Sequence, residues 1–269
     1  MIARLEGADI AYDDIGRGEP VVFLHGFALD RTMWAAQTTA LAGYYRCIAV
    51  DARGFGQSPP AAPFSIDRYA DDVAGVLDGL VVERAVIVGL SMGGYVAFAL
   101  WRRHPGRVRG LVLADTRATV DPPDTRERRR ELMDVARTVG PRGVAERQIV
   151  GVLGKTTRER RPDIVETVRG IMTRASVDGI VGALDAMLGR PDSTPTLATI
   201  AVPTLVIAGD EDVITPAKDA RALHAAIPGS RLEILAGAGH LSSIERPAAF
   251  NAVLSEFLHA VESGTAGSV

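Results

Sequence analysis

Apolar positions along the chain fall into two patterns. Short apolar runs recur at Pro20–Leu24, Tyr45–Val50, Val86–Val88, Val108–Ala114 and Thr204–Ala208, with a mixed run at Arg231–Leu235. Runs of this kind suit strands covered on both faces of a parallel sheet. Between them apolar residues recur at helical spacing. Ile66, Tyr69, Val73, Val76, Leu77 and Leu80 make one stripe behind Ser65, a good N-cap. Further helices are predicted through Met33, Trp34 and Leu41, over Tyr95–Trp101, over Pro216–Ile227 and over Pro247–Val261. Residues 2–15 alternate weakly about Gly7 and read as an antiparallel hairpin. Strands and helices alternating at this cadence predict an α/β fold with a mostly parallel sheet covered on both faces.

The cadence breaks between Thr119 and Thr196, where no strand pattern is present. Helical pieces are expected there at Arg128–Val139, Val144–Leu153, Pro162–Arg174 and Val177–Leu188. The predicted organisation is a core of residues 1–118 and 197–269 carrying a helical cap at 119–196. Ser263–Val269 reads as a frayed tail.

Composition changes this picture little. A chain of 269 residues with 47% hydrophobic and 23% charged residues is long enough for one sizeable core. The net charge of −3 gives no pull toward nucleic acid or an anionic membrane. No apolar run is long enough to span a bilayer. Met1–Gly7 lacks a basic region followed by an apolar stretch, so a cytoplasmic address is expected. The single cysteine, Cys47, sits in an apolar run and reads as a small buried hydrophobe.

The candidate chemistry centres on Gly89-Leu-Ser91-Met-Gly93, which follows one apolar run and precedes a helix. Glycines two residues to either side of Ser91 permit a strand-turn-helix tight enough to strain the serine and present its hydroxyl at the carboxyl edge of the sheet. A serine hydroxyl needs a base. Of five histidines, His240 lies in Gly237-Ala-Gly-His240 just after the last strand, at the same edge, while His104, His224 and His259 lie on helices or at their ends and His25 shapes a tight turn. The base in turn needs a buried acid. Asp212 follows the strand ending at Ala208 and is the candidate, with Asp115 as its rival; Asp210 reads as a turn residue and Asp51 as a partner of loop amides. The backbone N–H groups of Met92, at the start of a helix, and of Phe27, in the turn after Leu24, would form an oxyanion hole.

Taken together, His25-Gly26, Asp51-x-Arg53-Gly-x-Gly56-x-Ser58, Gly89-x-Ser91-x-Gly93, Gly209-x-x-Asp212 and Gly239-His240 resemble the α/β-hydrolase superfamily. The resemblance implies an eight-stranded sheet with a helical cap between its sixth and seventh strands. It also implies nucleophile Ser91, acid Asp212, base His240 and an oxyanion hole from Phe27 and Met92, with no cofactor and no metal. A serine at position 91 argues against the dehalogenase and epoxide hydrolase branches, which use aspartate. Gly89–Gly94, Asp30-Arg-Thr-Met-Trp34 and His240-Leu-Ser-Ser-Ile-Glu-Arg-Pro247 are similar to small carboxylesterases and 3-oxoadipate enol-lactonases. Phe27, Trp34, Met92, Leu241 and Arg174 are the expected substrate contacts, Arg174 as a guanidinium for a substrate carboxylate. The other cap arginines read as a solvated, acid-paired face. The expected activity is hydrolysis of a small, fairly apolar carboxylic ester through an acyl-enzyme, falling as pH drops through about 6 to 7. Lactone hydrolysis, carbon–carbon bond hydrolysis and a non-catalytic ligand receptor are the alternatives.

Overall fold

The computed structural model describes residues 1–265. Its strands are β1 (Ile2–Leu5), β2 (Ala8–Ile15), β3 (Pro20–Leu24), β4 (Arg46–Val50), β5 (Ala85–Leu90), β6 (Val108–Ala114), β7 (Thr204–Gly209) and β8 (Arg231–Leu235). Its helices are α1 (Ala35–Leu41), α2 (Ile66–Gly79), α3 (Met92–Arg103), α4 (Pro123–Thr138), α5 (Pro141–Val152), α6 (Lys155–Arg160), α7 (Pro162–Met172), α8 (Val177–Gly189), α9 (Thr194–Leu197), α10 (Ala217–Ala226), α11 (Ser242–Glu245) and α12 (Pro247–Glu262).

The eight strands form one sheet in the order β1-β2-β4-β3-β5-β6-β7-β8. β1 pairs antiparallel with β2 and β2 antiparallel with β4, and every later pairing is parallel. Register aligns the strand ends: Leu24 pairs with Val50, Leu90 with Ala114 and Gly209 with Leu235. The loops after β3, β5, β7 and β8 therefore open on one edge. β5 and β7 are buried along their whole length, as their unbroken apolar sequences require. Fully burying one such valine, leucine or isoleucine contributes about 1.5–3 kcal/mol, so these central strands anchor the fold. β8, an edge strand paired only with β7, mixes charged and apolar residues.

α4 to α9 all fall between β6 and β7. Within this insertion α4 packs on α8 and α5 on α7, while α8 reaches α2 of the core and α7 reaches the turn at Arg31–Trp34. α4 starts at Pro123, upstream of the apolar stripe, because proline fits the first turn, where no intrahelical acceptor exists for its missing N–H. α6 and α11 are too short to show an apolar period and escape sequence reading.

The predicted helix through Met33 and Leu41 is divided into a 3-10 turn, Arg31–Trp34, capped by the Asp30 carboxylate on the Thr32 N–H, and α1. Trp34 packs between Phe23 and Phe250 and is fully buried. The place expected for it in a substrate pocket is thus corrected: its indole is too large and apolar to leave a gap beside β3, and it fills the core instead. The last element among the described residues is α12, and the Ser263 N–H donates to the His259 carbonyl. Of the expected tail, residues 266–269 lie outside the described residues. No helix among the described residues is long and apolar enough to cross a membrane.

Candidate active site

β5 ends in the middle of the sheet, and the next residue, Ser91, has φ 55° and ψ −111°. This left-handed backbone costs of order 1–3 kcal/mol for a serine and persists only where its surroundings leave no alternative. Here they leave none. A Cβ on Gly93 would lie 2.2 Å from the Leu24 carbonyl oxygen, and one on Gly89 2.3 Å from the Gly93 carbonyl oxygen. The Ser91 N–H donates to the Ala114 carbonyl at 2.9 Å, and the Ser91 carbonyl accepts from the Thr116 hydroxyl at 2.9 Å. Both partners lie at the end of β6, so the elbow is clamped to its neighbour strand.

His240 follows β8 and is buried. Its Nδ1–H donates to Asp212 Oδ2 at 2.8 Å, which leaves the Nε2 lone pair to accept the Ser91 hydroxyl, also at 2.8 Å. Asp212 is fully satisfied. Oδ1 accepts the N–H groups of Ile214 (2.8 Å) and Thr215 (3.0 Å), and Oδ2 accepts the Thr215 hydroxyl (2.7 Å) besides the imidazole. Burial alone would raise the Asp212 pKa, but the adjacent imidazole and the Thr215 donors hold it below the usual carboxylate range. Burial likewise pushes His240 down, and the Asp212 charge overrides it, leaving the imidazole above its ordinary value of 6.5. A hydroxyl, an imidazole with its acceptor lone pair turned to it, and an ionised carboxylate behind can together withdraw a proton from Ser91 and return it.

Residues 21–253 match the alpha/beta hydrolase family. The chain belongs to the alpha/beta hydrolase family. It is 31% identical to a 3-oxoadipate enol-lactonase of Acinetobacter baylyi over 96% of this chain and 94% of that protein. Among solved structures it resembles a thermophilic esterase from Thermogutta terrifontis, with 39% identity, a TM-score of 0.91 and 94% of each chain covered. An enol-lactonase from Burkholderia xenovorans superposes with a TM-score of 0.90 at 31% identity, covering 96% of this chain and all (100%) of that one.

In this alpha/beta hydrolase the rival residues have other partners. Asp115 does not reach His240 by a hydrogen bond. It accepts from the Gly209 N–H at 3.0 Å and from both the N–H and hydroxyl of Ser242, tying the ends of β6 and β7 to the start of α11. His25 accepts the Ala52 N–H on Nε2, so its Nδ1–H donates to the Gly26 carbonyl, and the ring braces the turn. Asp51 takes the Arg31 and Gln57 amides, and Asp210 the Gly237 amide. His104 pairs with Asp71, and His224 lies against Ser230. Burial pushes the Cys47 thiol up to about 12, which leaves it inert.

The turn after β3 is closed by the Leu29 N–H on the Gly26 carbonyl, with Ala28 in a left-handed conformation at φ 59°. The Phe27 N–H inside it meets no acceptor among the described residues. Met92 is the first residue of α3, so its N–H has no intrahelical acceptor. Its side chain is buried and lines a small pocket with Leu24, His25, Tyr69 and Val96, leaving the backbone as its means of reaching the site. Leu241 is buried as well, and Phe27 alone of the expected apolar contacts is partly open, its ring edge-on to Phe55. Arg174 does not stand free for a substrate. Its guanidinium holds Asp30 at 2.8 Å and the Thr32 hydroxyl at 2.9 Å, clamping the insertion to the core. Exposed acid pairs of the kind expected of the other arginines are present in Arg128–Asp124, Arg130–Glu127 and Arg161–Asp163, whereas Arg129 departs from that expectation and lies against the buried Asp121.

Thr215 and Thr116 escaped sequence reading. Thr215 carried a usable signal: a hydroxyl three residues after an aspartate marks a turn in which the carboxylate collects local donors. Thr116 carried none, since its role depends on β6 lying beside β5.

Proposed function

We propose that this chain is a serine hydrolase that cleaves small, fairly apolar carboxylic esters. The observation that carries the reading is the pair of 2.8 Å hydrogen bonds joining Ser91, His240 and Asp212 in series at one sheet edge. Ser91 Oγ attacks the ester carbonyl as its proton passes to His240 Nε2, and the Asp212 carboxylate stabilises the imidazolium. The negative oxygen that forms is held by the free N–H groups of Phe27 and Met92, each such donor lowering the barrier by about 2.7–4 kcal/mol. Collapse expels the alcohol, which takes the proton from His240, and leaves an acyl-serine. Water, deprotonated by the same imidazole, then releases the acid and restores the serine.

The same sequence opens a lactone, with the difference that the leaving alcohol stays tethered to the acyl group. Likeness to two enol-lactonases at 31% identity supports this as the second reading. Turnover of p-nitrophenyl acetate by the wild-type chain, with none above background from Ser91→Ala, is the result expected. Equal turnover by the two proteins would refute the proposal. Comparing kcat/KM for acyclic esters with that for an enol-lactone separates the two readings.

A further inference from the structure

Besides Asp212, a second buried carboxylate serves the base, and the mechanism above does not use it. Glu245, on α11, is 1% exposed. Its Oε1 accepts the N–H of Gly239 at 2.9 Å and that of Leu241 at 3.2 Å, the two amides that bracket His240. Its Oε2 accepts the N–H of Gly154 at 2.8 Å, at the start of α6 in the insertion. A carboxylate with two accepting oxygens can meet three backbone donors at once, which offsets part of the cost of removing its charge from water; burial still holds its pKa above the usual carboxylate value.

The approach between insertion and base loop is as close as backbone permits. A Cβ on Gly239 would lie 2.1 Å from the Gly154 nitrogen, and one on Gly154 would lie 2.8 Å from the Gly239 nitrogen. Two residues on, the Thr156 N–H donates to Glu211 Oε2 at 2.7 Å, and Glu211 precedes Asp212. The Glu211 N–H in turn donates to the Ala238 carbonyl at 2.8 Å. The first turn of α6 thus seats against both the loop that carries the acid and the loop that carries the base.

We propose that Glu245 is a positioning residue, which fixes the His240 imidazole by holding the peptide planes on both sides of it and makes that hold depend on the seated insertion. The proposal rests on the serine hydrolase reading. An imidazole displaced by an ångström loses its line to Ser91 Oγ, and misplacement of that size costs of order 100-fold in rate.

The test compares the full-length wild type with Glu245→Gln, Glu245→Ala and Gly154→Ala, each titrated with a fluorophosphonate so that rates are counted per reactive serine. Glutamine keeps the length and one acceptor oxygen but turns an NH₂ donor toward one set of amides, so Glu245→Gln loses either the Gly154 link or both links to the amides that flank His240. The expected result is a fall in kcat per titrated site of about 10- to 100-fold, with KM within about twofold of wild type. Gly154→Ala, which changes no residue of the core, is expected to move kcat in the same direction. If Glu245→Ala fails to fold, the near-isosteric glutamine variant and Gly154→Ala carry the test. Glu245→Gln with wild-type kcat per site, whatever its loss of stability, would reduce Glu245 to a helix-capping residue and overturn the proposal. A wild-type chain that neither reacts with the fluorophosphonate nor turns over an ester would remove the serine hydrolase reading itself, and this proposal with it.

Discussion

The proposed nucleophile, Ser91, and the proposed base, His240, sit a hydrogen bond apart, yet they are held by a different balance of means. Ser91 is placed by exclusion: Gly89 and Gly93 allow backbone to approach where any side chain would collide, and the strained turn has nowhere else to go. His240 is placed chiefly by polar bonds, beside the close contact of Gly239 with Gly154. Asp212 holds its ring, Glu245 its flanking amides, and Asp115 the residue two further on, Ser242. Steric placement is rigid and inseparable from folding, because the same contacts close the core between β3 and α3. Polar placement can fail while the fold survives. Damage at the elbow's glycines should therefore register as lost stability, and damage around the base as lost rate.

Removing the proposed nucleophile has the largest expected effect. Ser91→Ala is expected to lower kcat/KM at least about 10⁴-fold with the fold intact, read by steady-state kinetics and circular dichroism. Asp212→Asn follows, with kcat falling about 10³- to 10⁴-fold as the imidazole tautomer is lost, while the melting temperature changes little. A parallel loss of folded protein would break the contrast. Gly93→Ala does the reverse. Its Cβ would meet the Leu24 carbonyl oxygen at 2.2 Å, and urea unfolding should show a loss of about 3 kcal/mol or more.

A smaller effect concerns pH. As the proposed base, His240 would work only when neutral, and Asp212 favours its charged form, so protonation sets in at a higher pH than for a free histidine. The acid limb of kcat/KM is expected above 6.5, in the upper half of the range suggested by sequence or beyond it, with activity lost below it. A pH–rate profile checks this, and a limb below 6.5 would mean that burial outweighs the carboxylate. The smallest effect belongs to Arg174→Ala. Its side chain is half exposed, and the buried Asp30 keeps the Thr32 N–H when the guanidinium is removed, so the loss in stability should be about 1 kcal/mol, measured by thermal melts.

What could be read from sequence follows the same division. Strand runs and the Gly-x-Ser-x-Gly turn are local: a few adjacent residues carry the whole signal, and β3, β5, β6 and β7 lie where the apolar runs place them. His240 and Asp212 were legible because strand ends share one edge. The support around them was not. Arg174 and Asp30 are joined across 144 positions, and Gly154 and Glu245 across 91, with no periodicity at either end to announce the pairing. Trp34 misled for a related reason, since nothing local distinguishes an aromatic that lines a pocket from one that fills the core beneath it.

The central claim is that Ser91 is the attacking group and that His240 activates it. Reaction with a fluorophosphonate followed by intact mass and peptide mapping tests both parts directly. The account predicts a single adduct on Ser91, absent from Ser91→Ala and formed far more slowly by His240→Ala. An adduct on another residue, or ester hydrolysis that continues after Ser91 is blocked, would contradict it.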